Sequence, residues 1–390
     1  VRTQVGIVGA GPAGLLLSHL LHLAGITSII VEAKSKEYVE GRVRAGVMEH
    51  QTAELLDRIG VGARMRREGL VHHGIELKFQ DRSHRMDLTD LSGGKSVMVY
   101  GQHEVVKDLI AARLETGGTI LFDCDDVSLR DFDGDNPSIR FRRNGKDEEV
   151  ACDFIAGCDG FHGISRPSIP EGVLSYFDRE YPFSWLGIMA KAPPPSHELI
   201  YSGHDDGFAL YSMRSPILSR LYIQCRLDED INEWPDSRVW DELHHRLGDD
   251  RLKEGPVVLK LITAMRSFVV EPMQYRRLFL AGDSAHIVPP TGAKGLNLAA
   301  ADVMVLSRAF ETWFKSGKAD LLESYSQTCL RRVWKVQRFS WWMTALLHRF
   351  ADDNAFDRRR QLAELDYLTS SRAAGITLAE NYVGLPMDLV

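Results

Sequence analysis

The chain opens with two short apolar runs, Gln4 to Val8 and Ser28 to Val31, separated by Pro12 to Leu23, where leucines recur at helical spacing. Strand, helix and strand of these lengths predict a βαβ unit. Helical periodicity returns over Glu49 to Ile59 and over His103 to Leu114, the second stopped by Gly117-Gly118. Val97 to Tyr100 and Thr119 to Phe122 read as strands. Between Val127 and Ile155 short strands are punctuated by Asp133-Gly134 and Asn144-Gly145, dipeptides that favour hairpins. A region containing the linker Pro193-Pro194-Pro195 holds two further strands, Phe208 to Ser215 and Arg220 to Arg226, which suggest an antiparallel sheet. From Leu296 the period is helical, over Leu298 to Phe314, Leu321 to Phe350 and Asp357 to Tyr367.

The turn inside the βαβ unit is Gly9-Ala10-Gly11-Pro12-Ala13-Gly14. Backbone N–H groups and a positive helix end converge there on a pyrophosphate, and a side chain would block the approach. Glu32 ends the second strand, placed to accept hydrogen bonds from a ribose diol and to disfavour a 2′-phosphate. With Gly282-Asp283-Ser284-Ala285-His286 far downstream, the pattern points to one tightly held flavin. Arg42 and Arg44, two apart in a loop, can face one anion.

On the predicted strand pair, Ser212 and Arg214 share a face, as do Arg220, Tyr222 and Gln224. A hydroxyl, a guanidinium and a phenol can meet there around one carboxylate, since the arginine fork matches a carboxylate bidentately. A solvated sheet face explains the same residues, and both readings stand at this point.

Composition narrows the classes. A net charge of −7 over 390 residues argues against nucleic acid as a partner, and clusters such as Arg64-Met65-Arg66-Arg67 read as solvated helix faces. The five cysteines show no CxxC spacing, so neither a disulfide framework nor a metal site is expected, which suits a reducing cytoplasm. The apolar N-terminal stretch is too short for a membrane span and no targeting signal is expected. Phe339 to Met343 reads as a buried helix.

The chain resembles the class A flavoprotein aromatic hydroxylases, in particular the 4-hydroxybenzoate 3-monooxygenase family, over essentially its full length. The resemblance rests on Gly9 to Gly14 with Glu32, Arg42 to Val47, Cys158-Asp159-Gly160 with Ser165-Arg166, Gly282-Asp283 and Pro289 to Asn297. More discriminating are Ser212-Met213-Arg214, Arg266 to Met273, Phe339 to Met343 and Glu380 to Pro386. It implies an α/β fold: a Rossmann-like FAD-binding domain over 1–175 with a return at about 266–300, a mixed or antiparallel-sheet substrate domain over 176–287, and a C-terminal helical region over 288–390.

By the same resemblance FAD would contact Gly9, Gly11, Ala13, Gly14, Glu32, Arg42, Val43, Arg44, Ala45, Gly46, Val47, Gln102, Asp159, Asp283, Gly295, Leu296 and Asn297. Ser212, Met213, Arg214 and Tyr222 would hold a benzoate carboxylate, with Tyr201, Pro290 and Thr291 at its phenol. Tyr201, Tyr382 and His72 would relay the phenolic proton. Taken alone, the tyrosines read as core or interface residues and His72, beside His73, as a surface histidine.

The implied reaction hydroxylates 4-hydroxybenzoate to 3,4-dihydroxybenzoate, with NADPH or NADH reducing the flavin and O₂ forming a flavin hydroperoxide. Arg44, His162 and Arg266 would meet the nicotinamide cofactor in a surface groove, with Ala33, Lys34 and Tyr38 near its adenosine end. Ala33 stands where the family commonly has an arginine, Lys34 and Lys36 attract a 2′-phosphate, and Glu37 opposes it. Use of both cofactors is therefore the expectation. Further departures are Ala13 for a serine, His73 for an acid, and a shorter region near His245 to Gly255. A homodimer in the cytoplasm is implied. The alternatives are a hydroxylase of a related phenolic acid and a non-catalytic FAD-binding regulator.

Overall fold

The computed structural model describes residues 1–44 and 46–387. Val5–Val8 and Ser28–Val31 are parallel neighbours, every residue buried, as expected of strands covered on both faces. Pro12–Leu23 crosses between them. They sit in a six-stranded sheet whose order is Gln274–Tyr275, Leu278–Leu280, Phe154–Gly157, Val5–Val8, Ser28–Val31 and Thr119–Leu121. All pairings are parallel except the outermost, between Gln274–Tyr275 and Leu278–Leu280. Residues 274–280 enter this sheet from far along the chain.

A second sheet of eight strands runs His286–Ile287, Val257–Glu271, Ser175–Ala190, Leu218–Cys225, Gly207–Ser215, Leu199–His204, Gly74–Phe79 and Arg82–Asp87. It is antiparallel apart from the pair Leu199–His204 with Gly74–Phe79. Residues 74–87, N-terminal in the chain, complete this sheet, so a division at residue 175 cuts across it. The Asn144-Gly145 turn joins two paired strands, with φ of 51° and 73°. Asp133-Gly134 instead lies in a longer loop between Arg130 and Ser138.

The helical region departs from its expected form twice. The stretch 321–350 is not one helix: Asp320–Glu323 ends at Ser324, whose Oγ bonds back to the Asp320 carbonyl at 2.7 Å, and a second helix runs Tyr325–Leu347. Arg372–Val383 is a helix with no clear sequence signal, because Gly375, Ile376 and Thr377 weaken its propensity. Gly375 lets it approach: a Cβ there would stand 3.3 Å from Leu91 and Met86. Phe339 and Met343 are buried as expected, but Trp341 is exposed. No described helix is long and apolar enough to cross a membrane.

The core forms two larger clusters, one around the six-stranded sheet and one between the eight-stranded sheet and the C-terminal helices, with a third behind that sheet. Gly295–Ser316 packs on Pro12–Leu23, and Tyr325 reaches across to donate to the Leu280 carbonyl at 2.8 Å.

Candidate active site

The first half of the site grows from the Gly9–Gly14 turn. Gly9 has φ +100°, and a Cβ there would stand 2.5 Å from the Cys158 carbonyl oxygen. At Gly14 a Cβ would stand 2.0 Å from the Gly9 carbonyl, so helix and turn touch through that position. Gly11 is different: its Cβ would enter open space. No side chain caps the helix at Gly11, which leaves the first-turn N–H groups for a ligand. Glu32 Oε2 accepts the Ala10 N–H at 2.6 Å and Oε1 the Lys34 N–H at 2.8 Å, fixing the carboxylate beside the turn.

Asp283 faces the same cleft from the Gly282–Ser284 turn. Its protein walls raise its pKa, while Arg44, His286 and Arg42 oppose the shift. Asp302, buried on the Gly295–Ser316 helix, clamps both ends of the turn: its Oδ2 accepts the Gly282 N–H at 2.9 Å and lies 2.6 Å from His286 Nε2. The start of that helix, at Gly295 and Leu296, also lacks a side-chain cap, and a Cβ on Gly295 would meet nothing. Gln102 opens another helix, Gln102–Glu115, without one. Gly46 allows the chain to pass the Tyr100 carbonyl, which a Cβ would approach to 2.6 Å. Val47 begins a two-residue strand paired with Val99. Val43 is half-buried in the preceding loop, and Ala45 lies outside the described residues.

An anionic dinucleotide fits this cleft, because uncapped helix ends, side-chain-free glycines and the Arg42–Arg44 pair converge on it. Two residues expected at the flavin also tie protein groups together. Asp159 Oδ2 accepts from the Ser165 N–H and Oγ at 2.8 and 2.9 Å, tying the Gly160 loop. Asn297 spends its amide on protein groups, accepting the Glu49 N–H at 2.9 Å and donating to the Ala293 carbonyl at 2.8 Å.

The second half is one face of the eight-stranded sheet. Tyr201 lies opposite Leu210, and Leu210 opposite Tyr222, so the three share a row. Ser212 opposite Arg220 forms the next row, and Arg214 follows on the same face. Gly187, opposite Tyr222, makes room for the Arg220 guanidinium, which a Cβ would approach to 2.9 Å. Rows of this kind are about 7 Å apart.

Arg214 Nη1 donates to the Met213 carbonyl at 3.0 Å and reaches Ser212 Oγ at 3.5 Å, while its buried Nε has no partner. Arg220 Nε and Nη1 are likewise buried without partners, and its guanidinium lies 4.9 Å from the Tyr222 ring centre. Burial would raise the Tyr222 pKa, but Arg220 and Arg214 reverse this and leave it below the ordinary phenol value. A buried and a half-buried cation, each with buried donors unpartnered, call for an anion.

At the other end of the face, Tyr201 and Tyr382 meet hydroxyl to hydroxyl at 2.7 Å, both buried. Burial, reinforced by Tyr382, pushes the Tyr201 pKa well up, and burial also raises that of Tyr382, so both stay protonated. Lys294 holds the Tyr382 segment: its buried Nζ donates to the Asn381 and Tyr382 carbonyls at 2.6 and 2.9 Å and to Glu49 at 2.8 Å. Arg332 completes the Glu49 pair at 2.6 Å. Sequence reasoning missed this cluster, which joins residues 245 apart; only the lone lysine in the Pro289–Asn297 string hinted at it.

His72 is fully buried, not on the surface, and burial lowers its pKa to about 4. It bonds to neither tyrosine; its Nε2 lies 3.2 Å from Met213 Sδ and its Nδ1 has no partner. Pro290 starts a short 3-10 turn, and its carbonyl already accepts the Ala293 N–H at 2.9 Å, leaving one lone pair. Thr291 pairs with Thr344 at 2.8 Å.

His162 and Arg266 come together around Phe161, whose ring centre is 5.0 Å from the imidazole and 4.7 Å from the guanidinium. Arg266 is also paired with Asp178. Ala33 and Lys34 are exposed, and Tyr38 lies under Lys34 Nζ at 5.9 Å. Arg44 lies near Arg42, Tyr38 and Asp283.

The comparisons agree with this geometry. A family model described as an FAD binding domain matches residues 2–340. The chain is 48% identical over 392 residues to p-hydroxybenzoate hydroxylase of Acinetobacter baylyi, spanning 100% of this chain and 97% of that protein. It is 23% identical to a probable NADH-specific resorcinol 4-hydroxylase of Rhodococcus jostii, over 83% of this chain and 61% of that longer one. Its fold matches that of p-nitrophenol 4-monooxygenase from Pseudomonas putida with a TM-score of 0.84 at 18% identity, covering 99% of both chains.

Proposed function

The chain belongs to the FAD-binding domain family, and from that premise we propose that it hydroxylates 4-hydroxybenzoate at the carbon beside the phenol, giving 3,4-dihydroxybenzoate. It is a flavoprotein aromatic-ring monooxygenase. FAD, when bound, supplies the oxygen-transfer chemistry, with NADPH or NADH as reductant and O₂ as oxidant.

The observation that carries the substrate is the pairing of unspent guanidinium donors on Arg214 and Arg220 with the Tyr201–Tyr382 hydroxyl pair on one sheet face. A phenol bearing a carboxylate at the opposite end of its ring matches both. Arg214 and Arg220, helped by Ser212 and Tyr222, hold the carboxylate and fix the ring's position. The substrate phenol then donates towards Tyr201, which passes its own proton to Tyr382. Drawing off that proton makes the ring electron-rich for attack. The relay needs no ionised tyrosine, in keeping with the raised pKa values. His72, neutral above its lowered pKa, is the proposed outer acceptor, joined to the tyrosines through water. The His162–Phe161–Arg266 group, with exposed His162, is the proposed landing site for the nicotinamide cofactor together with Arg44, with Ala33, Lys34 and Tyr38 at its adenosine end and both NADPH and NADH accepted. The chain is proposed to act as a cytoplasmic homodimer.

The test is product analysis with FAD-loaded protein, O₂ and either reductant, with and without 4-hydroxybenzoate. Substrate-stimulated reductant oxidation matched by 3,4-dihydroxybenzoate is expected with both. Stimulated oxidation yielding only peroxide would make another phenolic acid the substrate. No stimulation would overturn the assignment.

A further inference from the structure

We infer that His204, Asp206 and His245 form a binding site for one first-row divalent cation such as Zn²⁺, using none of the residues assigned to flavin, substrate or nicotinamide. His204 ends the Leu199–His204 strand, Asp206 lies in the turn to the next strand, and His245 comes from the Asp236–Leu247 helix. Asp206 Oδ2 stands 2.7 Å from His245 Nε2 and 3.6 Å from His204 Nδ1. The two imidazoles meet edge to face with centres 4.5 Å apart, and one donor atom from each residue lies within 4.8 Å of the others. Bonds of about 2.0 to 2.2 Å to nitrogen and oxygen place neighbouring ligand atoms roughly 3 Å apart, so small side-chain rotations close this set around a cation.

Ser202 Oγ donates to the Arg246 carbonyl at 2.5 Å, joining strand to helix beside the cluster. The Asp206 N–H donates to His204 Nδ1 at 3.1 Å, so that nitrogen is unprotonated and holds the lone pair a ligand needs; on binding, the imidazole exchanges the amide for the cation. Nearby positive groups are already matched, Arg246 by Glu242 and Arg358 by Asp205. Two imidazoles and a carboxylate suit zinc, nickel or copper better than magnesium or calcium, which prefer all-oxygen sets. Asp206 and His245 are exposed, which leaves the remaining coordination positions to water.

The test is titration of the FAD-loaded full chain with Zn²⁺ against a chromophoric chelator. One equivalent is expected to bind, with affinity reduced at least about tenfold in His245→Ala and in Asp206→Asn. His244→Ala, which alters the neighbouring histidine paired with Glu254, should bind as the parent does. Both site variants should keep flavin absorbance and substrate-stimulated turnover, showing that they fold. Absence of stoichiometric binding, or binding equal in parent and both site variants, would overturn the proposal and leave the cluster as a histidine–carboxylate contact alone.

Discussion

The cofactor cleft is made mainly of backbone. At Gly9, Gly11 and Gly14 what matters is the lack of a side chain, and the N–H groups of an uncapped helix end do the binding. The substrate face is made of side chains, several buried with polar atoms left unpaired until an anion arrives. Backbone recognition suits a group common to many proteins, while a paid-out set of guanidiniums and phenols reads one ring with two different ends. The cleft should therefore tolerate changes in side-chain chemistry that the face does not.

The sharpest way to break this contrast is Arg214→Gln. Loss of one buried partner of the carboxylate should weaken 4-hydroxybenzoate binding by about 2 to 5 kcal/mol, roughly thirtyfold to several thousandfold, with FAD content unchanged. Equilibrium titration of the flavin spectrum checks it.

Acid should also separate the two regions. His72 and His348 are buried neutral, with pKa values lowered by burial to about 4 and about 3. Trp185 Nε1 donates to His348 Nε2 at 2.7 Å, so the ring has no place for a second proton. The unfolded chain binds these protons near pH 6.5, so their contribution is complete above that pH and is lost as pH falls towards 4 and 3. Between pH 7 and 5 the loss is roughly 2 kcal/mol per histidine. Denaturant unfolding at the two pH values measures it, and a His348→Gln variant should show the smaller change.

Tyr201→Phe removes the 2.7 Å link to Tyr382. Product formation should fall about a hundredfold while substrate-stimulated flavin reduction stays within a few-fold, as stopped-flow absorbance would show. The smallest effect sharpens the cofactor side. Gly11→Ala enters open space, so the unfolding midpoint of the flavin-free protein should hold while FAD affinity drops by about 1 kcal/mol or more. Gly14→Ala meets the Gly9 carbonyl instead and should lower both.

The same contrast decides what could be read from the chain. The βαβ cleft was legible because its determinants lie within residues 5–32 and each has a local conformational reason. The sheet face was half legible: two-residue spacing put Ser212 with Arg214 and Arg220 with Tyr222, but a solvated face explained them as well, and only the burial of Ser212 and Arg220 argues against solvation. Tyr201 and Tyr382 lie 181 positions apart, and resemblance alone joined them. Lys294 with Glu49, and Asp302 with the Gly282–His286 turn, left no periodic trace, since a single buried charge is specified by tertiary packing. The terminal helix escaped because Gly375 is there for close approach, not for helix propensity.

The most direct measurement compares 4-hydroxybenzoate with its neutral amide, 4-hydroxybenzamide, as ligands of the parent and of Arg214→Gln. A strong preference for the carboxylate is expected in the parent and should largely collapse in the variant, with FAD retained in both. An undiminished preference in the variant, or none in the parent, would contradict the claim that this face reads a carboxylate through its buried arginines.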